Sequence, residues 1–239
     1  MANSKRQSRL TQRTGEGRYR KEIAPVRKEL AAAYTVVGNT PPKRLKWLLL
    51  FADKNLDELS QGRLVDLGWE VVMFGVNKKP NELEKDWDSF FNLGVLTAPY
   101  NDEERSKRRD KGVIPLNPSH ALVRKFHSTM QKVFDQLFED EWWEYQPPAK
   151  VYRIALSIKG SDGAYRANEV RDVTADELLM ACAFDLIKAE KARLGICQNP
   201  NCKRRFATLR KTIGKFCSSR CSAYVRVNRA RGKLLINRG

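Results

Sequence analysis

Four cysteines near one end of the chain restrict its folding more than any other feature. Cys197 and Cys202 have four residues between them, Cys217 and Cys221 have three, and fourteen residues separate the pairs. Two short-spaced thiol pairs joined by a loop match the donor set of a tetrahedral structural zinc site, and thiolate is a strong zinc ligand. The start, Met1-Ala2-Asn3-Ser4-Lys5-Arg6, has no apolar core behind it, so no secretory signal is expected and the expected location is the cytoplasm. In that reducing compartment cysteine clusters bind metal more often than they form disulfides. The expectation is one structural Zn2+ held by Cys197, Cys202, Cys217 and Cys221. Neither an acid nor a histidine occurs in 197–239, which argues against a catalytic zinc with an open position.

The residues between and after the pairs suggest how the site is built. Arg205-Phe206-Ala207-Thr208 reads as a strand, 211–214 as a turn, and Lys215-Phe216 as a return to Cys217. Residues 218–235 read as a helix whose first turn presents Cys217 and Cys221 on one face. A knuckle, a hairpin and a helix that donates the last ligands make a treble-clef-like zinc module. At about 100° per residue, Ser222, Arg226, Arg229 and Lys233 share a stripe, with Tyr224, Val227 and Leu234 on the other side. The apolar side is expected to pack inward and the cationic stripe to face out. Lys203, Arg204, Arg205, Arg210 and Lys211 add charge from the knuckle and hairpin.

Charge is distributed unevenly. The chain carries 45 Lys and Arg against 28 Asp and Glu, a net of +17. Residues 1–28 hold nine cations and two acids, and 197–239 hold twelve cations and no acid. A near-neutral body with two basic ends fits contact with a polyanion. Zinc with four thiolates carries a charge near −2, which some of the cations neutralise, but twelve exceed that need. Such an excess is the electrostatic footprint of phosphate binding.

The middle of the chain reads as a mostly helical α+β body over 29–190, after a basic disordered arm at 1–28 and before the four-cysteine module at 191–239. Pro41-Pro42 opens a helix with Leu45, Leu48, Leu49 and Ala52 at helical spacing. Residues 64–76 are apolar, and periodicity does not decide between helix and strand. Asn81 with Glu84 reads as a capping box, and Gly94 is placed to end that helix. Residues 101–112 are charged throughout and read as a linker. After Pro118 the clearest helix carries Leu122, Val123, Phe126, Met130, Val133, Phe134, Leu137 and Phe138 on one stripe. His127 beside it and His120 in its first turn read as structural or surface residues. Residues 151–158 alternate as a strand does, and 164–170 return as a second. Thr174 and Glu177 form a further capping box, and Cys182 on the helix behind it reads as a small core residue. No run of apolar residues is long enough for a membrane span.

Cys197-Gln198-Asn199-Pro200-Asn201-Cys202, Phe206, Phe216-Cys217-Ser218, Cys221 and the Arg-rich stretch 226–231 resemble the CGNR zinc-finger family, whose members often join this finger to an upstream ABATE domain. The order of elements over 64–187 is similar to such a domain. Ser222-Ala223-Tyr224 stands where the family has Gly-Asn-Arg, and Thr208-Leu209-Arg210 where Asp-x-Ser is common. The resemblance implies zinc ligation by the four cysteines and a bacterial transcription regulator that binds DNA, favoured here over RNA. Its body would sense a small molecule or mediate protein association. An RNA- or ribosome-associated zinc protein and a protein-interaction module with structural zinc are the alternatives. No nucleophile–base pair, P-loop or dinucleotide fingerprint is present, so an enzyme is not expected.

Overall fold

The computed structural model describes residues 23–83, 87–98, 118–139, 152–157, 166–171, 174–210 and 214–231. The expected linker at 101–112, Lys211 and Lys233 lie outside them, as does most of the expected arm. Its last residues do not behave as an arm. Ile23 is fully buried, Ala24–Val26 form a 3-10 turn, and Arg27 begins helix α1, Arg27–Val37. Leu30, Ala33 and Val37 recur at spacings of three and four and are buried, so the body starts by Ile23.

The helices that follow are α2 (Pro41–Ala52), α3 (Gln61–Val76), α4 (Pro80–Leu83), α5 (Trp87–Thr97), α6 (His120–Glu139) and α7 (Ala175–Glu190). Prolines at the first positions of α2 carry no N–H that the helix would leave unpaired. Segment 64–76 is helical. Ser60 caps it by accepting from the Arg63 N–H at 3.4 Å, and Asn77 ends it in the left-handed region at φ 54°. Helix α7 opens on the expected capping box. Glu177 N–H donates to Thr174 Oγ1 at 3.3 Å, and Thr174 N–H donates to Glu177 Oε2 at 2.8 Å.

Two expected helix boundaries are corrected. Asn81 lies inside α4 rather than before it, and Glu82 reaches back to accept from the Lys79 N–H at 3.2 Å; Glu84 lies outside the described residues. Gly94 does not end α5, which runs to Thr97. Leu93 and Leu96 flank that glycine and are fully buried, which outweighs the helix cost of about 1 kcal/mol for one glycine.

The core is an aromatic stack wrapped by aliphatic side chains. Trp47 lies against Phe51 and Phe74 with ring centroids 5.2 Å apart in each pair, and Phe51 meets Phe126 at 5.5 Å. The Trp47 indole N–H donates to buried Glu70 at 2.7 Å. Arg44 is buried and has no carboxylate partner among the described residues; it donates to the Phe74 carbonyl and Asn77 Oδ1, so it caps the C-terminal end of α3. Gly75 sits where α3 meets α5 and α7, and a Cβ there would come within 2.7 Å of Leu96 and 3.0 Å of Leu179. His127 is buried in a structural role, with Nε2 2.9 Å from the Lys54 carbonyl and its ring edge-on to Phe51. Cys182 packs at the margin of this core and donates to the Gly75 carbonyl at 3.4 Å.

Strands β1 (Tyr152–Ser157) and β2 (Arg166–Arg171) form the expected antiparallel pair, with Tyr152 opposite Arg171 and Ser157 opposite Arg166. A second two-stranded sheet joins β3 (Leu194–Ile196) to β4 (Arg205–Ala207). The described residues are therefore mostly helical with two small sheets. None of their helices is long and apolar enough to cross a membrane.

Candidate metal centre

The hairpin differs from the expected one. β4 pairs with β3, which precedes the first cysteine, rather than with the return at Lys215. Leu194 faces Ala207 and Ile196 faces Arg205, so the Cys197–Cys202 knuckle is itself the turn of the hairpin. The return strand is replaced by one bond, from Gln198 N–H to the Lys215 carbonyl at 2.9 Å. A three-residue strand beside the core forms here because Ala207 buries against the body and Thr208 N–H reaches the Arg193 carbonyl at 3.0 Å.

Local bonds shape the knuckle. Cys197 N–H donates to the Arg204 carbonyl, and Cys202 N–H to the Asn199 carbonyl, each at 2.9 Å. Buried Asn199 turns its side chain onto the Asn201 N–H at 3.1 Å, an Asx turn that bends the chain between the ligands. Lys203 follows at φ 45°, a left-handed position held by a residue with a Cβ. On the other side, Ser218 caps helix α8 (Ser219–Ala230) by accepting from the Cys221 N–H at 3.3 Å. Cys217 stands just before that cap and Cys221 in the first turn.

These elements bring all four sulfurs within 4.8 Å of one another. Cys202 and Cys217 are 3.7 Å apart and Cys217 and Cys221 3.6 Å. Four sulfurs at about 2.3 Å from a zinc ion would stand roughly 3.8 Å apart, so the spacing fits a tetrahedral thiolate site. It is too long for a disulfide, and all five cysteines are free. The cluster can hold one metal ion. Side-chain hydrogen bonding from Ser218 and then Asn199 pulls the Cys221 thiol down to about 6. Desolvation and the neighbouring thiols push Cys217 up to about 12. Four sulfurs this close cannot all ionise unless a cation sits among them. Asn199 and Ser218 were not singled out as site residues in the sequence, although an Asn two places after a cysteine and a Ser three before a helical one are turn and cap signals.

The rotation of α8 also departs from the expected one. Cys221 must face the cluster, and Val225, four residues on, is the buried apolar residue of the helix, with Asn228 half-buried. Tyr224 and Val227 are therefore not packed inward but 42 % and 46 % exposed. Arg226 and Arg229 are exposed on the opposite flank.

The remaining cations divide. Lys203, Arg204 and Arg210 are exposed. Arg205 instead turns to the body. Its guanidinium is 2.6 Å from Asp135 on α6 and lies over the Phe138 ring at 5.2 Å. Ser128, Gln131 and Lys132 of α6 line a polar cleft of about 450 Å³ beside this contact, with Asp53 across it. Desolvation raises the Asp53 carboxyl despite the opposing pull of Arg205 and Arg204. No family model, curated protein or solved structure matches the chain.

Proposed function

We propose that the four cysteines hold a structural zinc ion and that the treble-clef-like module built on it binds nucleic acid, DNA before RNA. The observation that carries this reading is the combination of a thiolate-type cluster with a helix that turns Arg226 and Arg229 outward in a stretch, 197–239, that contains no Asp or Glu. Lys203, Arg204 and Arg210 extend that charge, while Arg205 is engaged by the body and serves to anchor the module. Four thiolates fill a tetrahedral shell, so the metal organises the fold and leaves no position for substrate. Binding rather than catalysis is the role such a site supports. The likeness to CGNR fingers adds transcription regulation as the biological setting.

The test is competition binding on the zinc-loaded chain with duplex DNA, structured RNA and an acidic polypeptide. Replacing Arg226 and Arg229 together with alanine should flatten the salt dependence of log K on duplex DNA by about 1.8. Zinc content should stay unchanged. Preference for the acidic polypeptide, or an unaltered slope, counts against the reading.

A further inference from the structure

We infer that the flank of α8 bearing Arg220, Tyr224, Val227 and Arg231 is a stacking platform for unpaired bases, so that this module takes single-stranded nucleic acid. The inference rests on the nucleic-acid reading above and names the substrate class within it.

The four residues follow one another at spacings of four, three and four, which places them on one side of a helix. Tyr224 and Val227 leave a phenol ring and an isopropyl group in solvent, and Arg220 and Arg231 at the two ends are exposed as well. The arrangement is fixed. Cys221 faces the other three sulfurs and Val225 is buried, and together they set the rotation of the helix and keep it from rolling to bury Tyr224. The ring is also tied at its tip, where Asn201 Nδ2–H donates to Tyr224 Oη at 2.6 Å. An aromatic side chain held in one orientation pays little ordering cost when a flat partner arrives.

Charge selects the occupant. Residues 197–239 contain no carboxylate, and among the described residues neither Arg220 nor Arg231 has an ion-pair partner. A second copy of so basic a surface would be repelled. Phosphates alone would satisfy arginines and gain nothing from an exposed ring and an isopropyl group between them. A single strand supplies both chemistries at once. Its phosphates meet the two arginines, and its bases offer apolar faces to Tyr224 and Val227. In a duplex those faces are already stacked, and contact with the same surface is limited to phosphates.

The test measures binding of the full zinc-loaded chain to a labelled oligo(dT) strand and to a mixed-sequence duplex. Tyr224→Ala should weaken oligo(dT) binding about five- to hundred-fold, the loss of one stacked base, while leaving duplex binding within about two-fold. Tyr224→Phe keeps the ring and loses only the Asn201 bond, so it should retain most of the affinity. Photocrosslinking of an iodouracil-containing strand to the wild-type chain should map to Tyr224, a readout that does not depend on any variant folding. Crosslinks elsewhere, or equal losses on strand and duplex with zinc content intact, overturn the stacking inference. If Arg226 and Arg229 replacements still weaken duplex binding in that case, the nucleic-acid reading survives without it. A wild-type chain that binds neither probe removes both.

Discussion

Replacing Arg205 with alanine cuts two ties between the cysteine module and the body. The first is the Asp135 ion pair at 2.6 Å, whose side chains are 27 % and 52 % exposed. A pair that open to solvent contributes about 0.5–1 kcal/mol. The second is the stack of the guanidinium over Phe138 at 5.2 Å, which contributes about 0.5–1 kcal/mol at a partly exposed site. The variant should therefore lose about 1–2 kcal/mol. For a domain of this size that lowers Tm by about 2–8 °C. A double-mutant cycle with Asp135→Asn isolates the ion pair, with an expected coupling of about 0.5–1 kcal/mol that shrinks in high salt. Arg205→Lys keeps the charge but not the planar face, so it should recover only the ion-pair part. Differential scanning calorimetry of the zinc-loaded proteins reads all of these. No coupling and an unchanged Tm, together with a smaller salt slope for nucleic-acid binding, would show that Arg205 reaches phosphate in solution and does not anchor the module.

Metal analysis should give one zinc per chain, and Cys217→Ser should abolish it while Cys182→Ala does not. Because the ligands bind as thiolates, zinc affinity should fall with acid, and chelation should remove a circular-dichroism signal equal to about a twelve-residue helix; a chelated protein that keeps all its helix refutes the metal's structural role. His127 is held below its usual 6.5, chiefly by desolvation. Its neutral form is favoured in the fold, so its contribution to stability is complete above about pH 6.5 and is lost as pH falls toward the depressed folded value; denaturation curves of His127→Gln should lack that component. Lys203→Gly should hold or raise stability by up to about 1 kcal/mol and Lys203→Val should lower it by a similar amount, as φ 45° there requires. Equal behaviour of the two substitutions would argue against a left-handed Lys203.

Elements with one wet face were legible in the sequence. Helix α6 shows its stripe because Arg124, Lys125, Gln131 and Lys132 mark the exposed side. The capping box of α7 is equally local, needing only Thr174 and Glu177. Helix α3 hid its period for the opposite reason. From Leu67 to Val76 every residue is buried, including Glu70, and a helix surrounded by protein has no polar face to read. Gly94 misleads because the burial that carries α5 past it belongs to Leu93 and Leu96. The partner of β4 was invisible because Leu194-Gly195-Ile196 is too short to display alternation, and its pairing is set by the knuckle it encloses. The four cysteines were legible because a thiolate metal site constrains residue type and spacing together. Asn199 and Ser218, which position and polarise them, carry no such signature beyond ordinary turn and cap preferences.

Helix α8 is the place where apolar pattern and metal ligation compete, and their magnitudes decide which wins. Turning Tyr224 and Val227 inward would gain about 1.5–3 kcal/mol for each side chain. It would also swing Cys221 away from the other sulfurs. A zinc ion bound by the four sulfurs would supply about 10–16 kcal/mol of apparent binding free energy, so under the proposed reading the ligand fixes the rotation and the apolar pair stays in solvent. Val225 then remains the one buried apolar residue of the helix. Its burial falls far short of the ordering cost of about 1–2 kcal/mol per residue over the helix, and a helix of this length is marginal by itself. The sulfur cluster therefore both forms α8 and selects the surface it displays. Losing one cysteine should remove the exposed arginines and Tyr224 from their common frame even though none of them touches the metal.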